Sequence, residues 1–282
     1  MKILIIGGSR FLGPIIIKKL LEKGHDVTVF NRGRTKDSYE NVNFIKGDRN
    51  NGFSISEKFD VVIDMCAYFA EHTQRAIDDL NFDFFIHMSS AASYKKSQSF
   101  PLTEESPLGP WPLWGEYNEG KAECEKILAD SGINYASIRP VYILGSGNTL
   151  DREHFIYSSI RQGIPLTLPG DGKASVHFVF ADDVANCIVL LAEKKLAGAY
   201  NCACDDAITL NDLVLEMGKI VRKTPIIEYN PEADGEHFNI SQFPFANETF
   251  ICSNEKFSRL GIKFTSLIAG LKEDYKNYYS KL

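Results

Sequence analysis

Tyr117 and Lys121 are four residues apart in a segment with a helix-like pattern, so their side chains lie on one helix face. A lysine ammonium beside a phenol lowers the tyrosine pKa from about 10. Tyr117 could then act as a general base on a substrate hydroxyl or as a general acid on a carbonyl. Ser90, at the end of an apolar segment, could donate a hydrogen bond to the reacting oxygen. Solvent-exposed helix faces also show this spacing. Whether Tyr117 and Lys121 form a catalytic pair therefore depends on the elements around them.

A glycine-rich loop near the N-terminus is placed to bind a phosphate-bearing cofactor. It lies between the apolar segment Met1–Ile6 and a helix pattern with Pro14 in its first turn. Such a turn needs glycine because the backbone bends sharply and approaches a pyrophosphate closely, while the helix N-terminus offers free N–H groups. A plain glycine-rich turn is the alternative. The predicted dinucleotide contacts in this loop are Gly7, Gly8, Ser9, Arg10, Phe11, Leu12 and Gly13.

The end of the second strand pattern indicates which dinucleotide binds. It reads Asn31-Arg32-Gly33-Arg34, without the acidic residue that holds the ribose hydroxyls of NAD. Arg10, Arg32 and Arg34 could instead pair with a 2′-phosphate, so we predict NADP, with NAD as the alternative. The arginines could also be solvated loop charges.

Strand ends further along the chain add to the predicted cofactor site. Asp48 could accept a hydrogen bond from an adenine amino group, or it could be an ordinary turn aspartate. The remaining predicted cofactor contacts are Asn31, Arg32, Asp48, Arg49, Cys66 and Ala67, together with Tyr117 and Lys121.

The elements that must position these residues alternate between strand and helix patterns. The strand patterns are Met1–Ile6, His25–Asn31, Val42–Gly47, Asp60–Ala67, Asp83–Ser90, Asn134–Arg139, Val176–Phe180 and Gly198–Ala203. The helix patterns are one that ends at Gly24, then Glu71–Leu80, Trp114–Ala129 and Asp182–Lys194. This alternation predicts an α/β fold with a parallel sheet covered by helices on both faces. After Asp205 the pattern changes to short helices and irregular loops.

The composition excludes some classes of protein. The chain has 282 residues, 44% of them hydrophobic, and a formal net charge of −6, so nucleic acid is an unfavoured partner. No apolar run reaches about 18 residues, and we expect no membrane span. The N-terminus lacks the features of a signal peptide, so we expect a cytoplasmic protein. The six cysteines are scattered, which favours free thiols over a metal site.

Taken together, these segments resemble the extended short-chain dehydrogenase/reductase family, the NAD-dependent epimerase/dehydratase group. The resemblance covers nearly the whole chain and rests on the glycine loop, Met88–Tyr94, Tyr117–Lys121, Arg139-Pro140, Phe178–Val184, Tyr200-Asn201 and Leu260-Gly261. It implies a Rossmann-type doubly wound sheet with a smaller, discontinuous α/β substrate lobe. The dinucleotide-binding lobe would comprise residues 1–143 and 176–204, and the substrate lobe residues 144–175 and 205–282. Leu166–Lys173 resembles a hairpin of that lobe.

The resemblance also implies roles for individual residues. Ser90, rather than Ser89, matches the catalytic serine position, and Tyr117 and Lys121 match the catalytic pair. The implied chemistry is hydride transfer at a carbinol or carbonyl carbon of a small molecule, for which a nucleotide sugar is the substrate class. Reduction and epimerisation stay open, whereas Ala91 and Ala92 argue against dehydration because that reaction usually needs an acid there. A homodimer is also left open.

Two departures from the family pattern keep another class of function in view. Arg10 replaces a usual glycine, and the Gly-Gly-Ser-Arg-Phe form resembles a subgroup that includes chloroplast stem-loop RNA-binding proteins. The C-terminal lobe is also short. A nucleotide-binding fold kept as an RNA-binding protein or as an NADP sensor is therefore the alternative to an enzyme.

Four other features have competing interpretations. His87 could be a base, but a hydrogen-bonded sheet histidine is favoured. Asp182 and Asp183 are typical of a helix N-cap and first turn. Arg139 could face the substrate or form a structural ion pair. The segment Pro101–Trp114 could be a pocket wall or a packed surface loop.

Overall fold

A computed structural model describes residues 1–34, 40–233, 235, 239 and 241–282. Its largest sheet has seven strands, all parallel, in the order β10-β6-β5-β4-β1-β2-β3. These strands are β1 (Lys2–Ile6), β2 (Asp26–Asn31), β3 (Val42–Lys46), β4 (Lys58–Asp64), β5 (Asn81–Met88), β6 (Tyr135–Pro140) and β10 (Gly198–Cys202). The predicted doubly wound sheet is therefore confirmed. The chain reverses its direction of winding between β1 and β4, which is where such sheets bind ligands.

Helices cover both faces of this sheet. They are α1 (Leu12–Glu22), α2 (Ala70–Asp79), α3 (Gly115–Ser131) and α5 (Ala181–Lys194). Ile3 and Ile5 of β1 pack with α1 and α5, whereas Leu4 and Ile6 pack with α2 and α3. This alternation explains why β1 is apolar throughout: each of its faces is buried under a helix layer.

Two smaller sheets lie outside the seven-stranded one. β9 (Ser175–Phe180) pairs in parallel with β7 (Tyr142–Leu144) and in antiparallel with β11 (Ala207–Thr209). It is therefore not part of the large sheet. β8 (Leu166–Pro169) pairs parallel to β12 (Ile227–Asn230). The expected hairpin at 166–173 is thus wrong, because the partner of β8 comes from a sequence-distant segment.

The remaining helices include one longer than the sequence suggests. They are α4 (Arg152–Gln162), α6 (Leu210–Val221), α7 (Glu255–Arg259) and α8 (Leu267–Asn277). α6 is a regular helix of 12 residues within the segment expected to hold short helices and irregular loops. None of the helices in the described ranges is long and apolar enough to cross a bilayer. The division of the chain into two lobes stays a prediction.

Candidate active site

A cavity of about 910 Å³ lies at the carboxyl ends of β1, β2, β4, β5 and β6. Its volume falls in the range of small-molecule sites. All but one of the predicted site residues line it: Gly7, Gly8, Ser9, Arg10, Phe11, Leu12, Gly13, Asn31, Arg32, Asp48, Arg49, Cys66, Ser90, Tyr117 and Lys121. Ala67 is the exception, because it is fully buried behind the wall.

The glycine loop lets the start of α1 approach the end of β1. A Cβ on Gly13 would lie 2.1 Å from the carbonyl oxygen of Gly8, so only glycine fits there. Gly8 itself has a φ of +77°, which favours glycine. No side chain of the described ranges caps the helix at Phe11. The first turn of α1 therefore faces the cavity as an N-terminus suited to a phosphate group.

The end of β2 is fixed to the glycine loop by Asn31. Its amide donates to Ser9 Oγ at 2.8 Å and accepts from the Gly33 N–H at 2.7 Å. The guanidinium groups of Arg10, Arg32 and Arg34 are exposed at the cavity rim. Within the described part of the chain, no ion pair involves any of them. Asn31 therefore has a loop-fixing contact, and the arginines supply positive charge.

Asp48 and Arg49 both have structural partners. Asp48 begins a short 3₁₀ turn and accepts from the Asn50 N–H at 3.0 Å, which is the turn role considered from the sequence. Arg49 forms two 2.8 Å bonds to Asp64 and also contacts Cys66 Sγ at 3.3 Å. Burial acts to raise the pKa of Asp64, but the Arg49 ion pair outweighs it and holds the pKa below its usual value. Arg49 thus forms the wall as part of a buried ion pair.

Lys121 is directed toward the backbone at the cavity floor. Its Nζ donates to the carbonyls of Ala67 at 2.7 Å and Met88 at 2.5 Å. Burial lowers the pKa of Lys121 to about 8. α3 can come this close because Gly120 has no Cβ, which would lie 2.1 Å from the Tyr68 carbonyl oxygen. Ala67 therefore contributes to the site through its backbone carbonyl, which orients Lys121.

Tyr117 and Ser90 face the cavity together. Tyr117 exposes 40% of its surface into the opening, yet the protein atoms around the phenol raise its pKa. A hydrogen bond with the Ser90 side chain acts in the opposite direction and only partly offsets this. The expected lowering of the tyrosine pKa by Lys121 is therefore wrong for this structure. Lys121 Nζ lies 5.9 Å from the Tyr117 ring centroid and donates to the two carbonyls instead.

Ser89 connects the cavity wall to a buried polar network. Its hydroxyl donates to Glu125 Oε1 at 2.5 Å, and Arg139 binds both oxygens of Glu125 at 2.8 and 2.6 Å. Arg139 also donates to Tyr94 Oη at 2.9 Å. The structural ion pair considered for Arg139 is confirmed, and Ser90 is the serine that faces Tyr117.

The other candidate residues lie outside the cavity wall. His87 is fully buried, burial lowers its pKa to about 3, and neither ring nitrogen has a hydrogen-bond partner among the described residues. The expected hydrogen-bonded histidine is therefore wrong, and the low pKa argues against a base. Asp182 and Asp183 lie in the first turn of α5, and Asp183 accepts from the Thr265 N–H at 2.9 Å. Phe180, not an aspartate, is the N-cap.

Aromatic and basic side chains that the sequence analysis did not single out line the end of the cavity away from the glycine loop. Trp114, within the segment considered as a wall, lines the cavity, whereas Trp111 is buried. Tyr142, Arg152 and Phe250 line it as well. Arg152 lies between two acidic residues at a helix start, which is the pattern of a solvated helix terminus. No local feature of the sequence therefore indicates that Arg152 lines the cavity.

Comparisons with known proteins place the chain in the family that its motifs resemble. A model of the NAD dependent epimerase/dehydratase family matches residues 3–82 and 72–203. The chloroplast stem-loop binding protein of 41 kDa b from Arabidopsis thaliana is 30% identical over 97% of this chain and 78% of its own length. A UDP-glucose 4-epimerase from Lactobacillus helveticus is 29% identical, over 65% of this chain and 64% of its own.

The fold also matches solved structures. A UDP-glucuronic acid 4-epimerase from Bacillus cereus, in complex with NAD, superposes with a TM-score of 0.81 at 20% sequence identity. The match covers 100% of this chain and 99% of the other. This likeness establishes the fold, and its bound NAD belongs to that protein.

Proposed function

Because the chain belongs to the NAD dependent epimerase/dehydratase family, we propose that it catalyses hydride transfer at a carbinol or carbonyl carbon of a nucleotide sugar. The observation that carries this proposal is the meeting of Ser90, Tyr117 and Lys121 with the glycine loop around one cavity. The family relative from Lactobacillus helveticus and the solved Bacillus cereus protein are both named as UDP-sugar epimerases, which supports the substrate class.

The cavity residues fit a nicotinamide dinucleotide. The close approach at Gly13 and the uncapped start of α1 suit a pyrophosphate, and the floor beside Lys121 suits the nicotinamide ribose. When bound, the nicotinamide ring would accept or return the hydride. The rim guanidiniums of Arg10, Arg32 and Arg34 support NADP over NAD, since guanidinium binds phosphate strongly.

Side chains of the protein transfer the proton of the substrate hydroxyl. In oxidation, the Tyr117 phenolate takes the proton of the substrate hydroxyl while the carbon loses its hydrogen with both electrons and becomes a carbonyl carbon. In reduction, the Tyr117 phenol returns that proton to the carbonyl oxygen. Ser90 donates a hydrogen bond to the same oxygen, and Lys121, whose ammonium is bound to the carbonyls of Ala67 and Met88, would hold the nicotinamide ribose beside it.

The substrate would lie between the two predicted lobes. Trp114 and Tyr117 come from residues 1–143, whereas Arg152 and Phe250 come from the segments assigned to the substrate lobe. Because residues of both predicted lobes line the same cavity, their positions support a substrate site between the lobes.

The test is a Tyr117→Phe variant, assayed for conversion of a panel of UDP-sugars with NADP and with NAD. We expect kcat to fall about 10²–10⁴-fold, because the acid–base group is lost. Cofactor dissociation constants, measured by calorimetry, should change less than about twofold because the ring is kept. Tyr278→Phe, away from the cavity, is the matched control. Unchanged turnover in Tyr117→Phe, or wild-type protein that binds cofactor but converts no sugar, would overturn the proposal.

The same calorimetry tests the choice of cofactor. We expect wild-type protein to bind NADPH at least about tenfold more tightly than NADH, from charge-assisted bonds to the 2′-phosphate. Equal dissociation constants would remove the NADP preference and leave the hydride-transfer proposal intact.

A further inference from the structure

Two buried N–H groups at the far end of the cavity have no hydrogen-bond acceptor. Arg152 Nε and Trp114 Nε1 are inaccessible to solvent and unpartnered within the described ranges. Both residues line the cavity. An unsatisfied buried donor costs about 1–3 kcal/mol, so an acceptor on a bound molecule would stabilise this arrangement.

Arg152 is held by aromatic rings rather than by a carboxylate. Its guanidinium carbon lies 4.8 Å from the Tyr142 ring centroid and 5.6 Å from that of Phe245. Among the described residues, no acidic side chain forms an ion pair with it, whereas the cavity-wall Arg49 has Asp64. Burial lowers the pKa of Arg152. A guanidinium stacked in this way has its donor edge left for an anion.

Trp114 and Arg152 are both neighbours of Tyr117, Trp114 along the chain and Arg152 through its charge. Trp114 immediately precedes α3 and lies three residues before Tyr117. Its ring is 5.7 Å from the Tyr142 ring on which Arg152 stacks, so Trp114 and Arg152 share one neighbour. The charge of Arg152 also acts on the Tyr117 phenol. Both side chains therefore belong to the cavity wall near Tyr117.

We propose that Arg152 and Trp114 bind a carboxylate on the substrate, close to the carbon at which Tyr117 acts. This rests on the proposed function and specifies its substrate as an acidic nucleotide sugar, such as a uronic acid derivative. A planar guanidinium matches the two oxygens of a carboxylate, and the Trp114 N–H, next to the same Tyr142 ring, adds a further donor. The aromatic neighbours Tyr142, Phe245 and Phe250 supply an apolar surface rather than the several cations typical of a diphosphate site.

The experiment compares UDP-glucuronate with UDP-glucose, which differ by a carboxylate in place of a hydroxymethyl group. Dissociation constants are measured by calorimetry in the presence of NADP for wild type and Arg152→Met. We expect wild type to bind UDP-glucuronate at least about tenfold more tightly, as one charge-assisted contact would give. Arg152→Met should lose this preference while its affinity for UDP-glucose changes less than about twofold.

Two further variants keep the proposal testable. Arg259→Met removes one exposed guanidinium outside the cavity and should keep the preference. Trp114→Phe keeps an aromatic ring but removes the N–H donor, and should weaken UDP-glucuronate binding about threefold to tenfold with little effect on UDP-glucose. If Arg152→Met does not fold, Trp114→Phe decides the question by itself.

Several results would overturn the proposal. Equal binding of the two sugars by wild type would do so, and so would binding of neither. Equal weakening of both in Arg152→Met would assign Arg152 to the shared diphosphate instead. Turnover of UDP-glucose without any preference for the acid would refute the carboxylate subsite alone. Selective binding of UDP-glucuronate with no hydride transfer to or from any sugar would refute the proposed reaction but retain the subsite.

Discussion

The arginines at the two ends of one short stretch of chain have opposite surroundings. Arg139, at the end of β6, is 5% exposed and binds both oxygens of Glu125. Arg152, thirteen residues later at the start of α4, stacks on aromatic rings and has no carboxylate partner among the described residues. Arg139 is neutralised inside the protein, whereas Arg152 presents its charge to the cavity.

Arg139 is a cation with a structural role, whereas we infer that Arg152 is a cation that binds a ligand. A buried charge needs a partner, and Arg139 has that partner in the folded chain. Arg152 would obtain it from a bound anion. Lack of a partner is not sufficient by itself, because His87 and Trp111 also have unpartnered nitrogens but do not line the cavity. Arg49 lines the cavity and has an unpartnered Nε, but Asp64 neutralises its charge. The combination of unpartnered donors, cavity exposure and proximity to Tyr117 points to a ligand.

The largest expected effect is on stability, in Arg139→Met. Removing this guanidinium leaves the Glu125 carboxylate buried without its counter-ion, which should lower the free energy of unfolding by about 3–5 kcal/mol. Arg152→Met should change it by less than about 1 kcal/mol, since no protein carboxylate loses a partner. Urea denaturation of both variants measures this difference. Equal losses would show that the two arginines are both structural.

The next effect concerns the pH dependence of stability and involves Glu153, which follows Arg152. Its carboxylate accepts from the Gly145 N–H at 2.8 Å and from Asn148 Nδ2 at 3.0 Å, and burial raises its pKa from 4.5 to about 7. Because the native pKa is the higher one, its stabilising contribution is complete below pH 4.5 and is lost as the pH rises through about 7.

Glu153→Gln, which is neutral at every pH, tests this expectation. The stability of wild type relative to the variant should fall by on the order of 3 kcal/mol between these limits. Denaturant unfolding at a series of pH values measures the slope, which is independent of any constant loss from the altered hydrogen bonds. A flat difference would mean that Glu153 ionises normally and that the start of α4 is insensitive to pH.

The smallest effect is expected for His87→Leu. The histidine is buried, its pKa is lowered to about 3 by burial, and its nitrogens have no partner in the described ranges, so an apolar side chain should replace it with little change. We expect the free energy of unfolding to shift by less than about 1 kcal/mol and kcat by less than about twofold. A large loss of turnover with unchanged stability would restore His87 as a catalytic candidate.

Much of the fold and of the glycine-loop end of the cavity could be predicted from the sequence. β1, the glycine loop and α1 follow one another without interruption, so their order alone indicates the turn that Gly13 makes possible. The spacing of Tyr117 and Lys121 likewise fixes a shared helix face. The direction of the Lys121 ammonium could not be predicted, because its acceptors, Ala67 and Met88, lie 54 and 33 residues away.

The sequence by itself determined the periodic elements, the glycine loop and the residue types available for acid–base chemistry. These depend on neighbours along the chain, whose geometry the backbone imposes. Only the tertiary structure decided which polar groups satisfy one another. Glu125 reaches Arg139 from another element, and the rings of Tyr142 and Phe245, from two segments, stack on the guanidinium of Arg152, from a third. Burial and pairing are properties of the packed chain, and they distinguish Arg152 from Arg139.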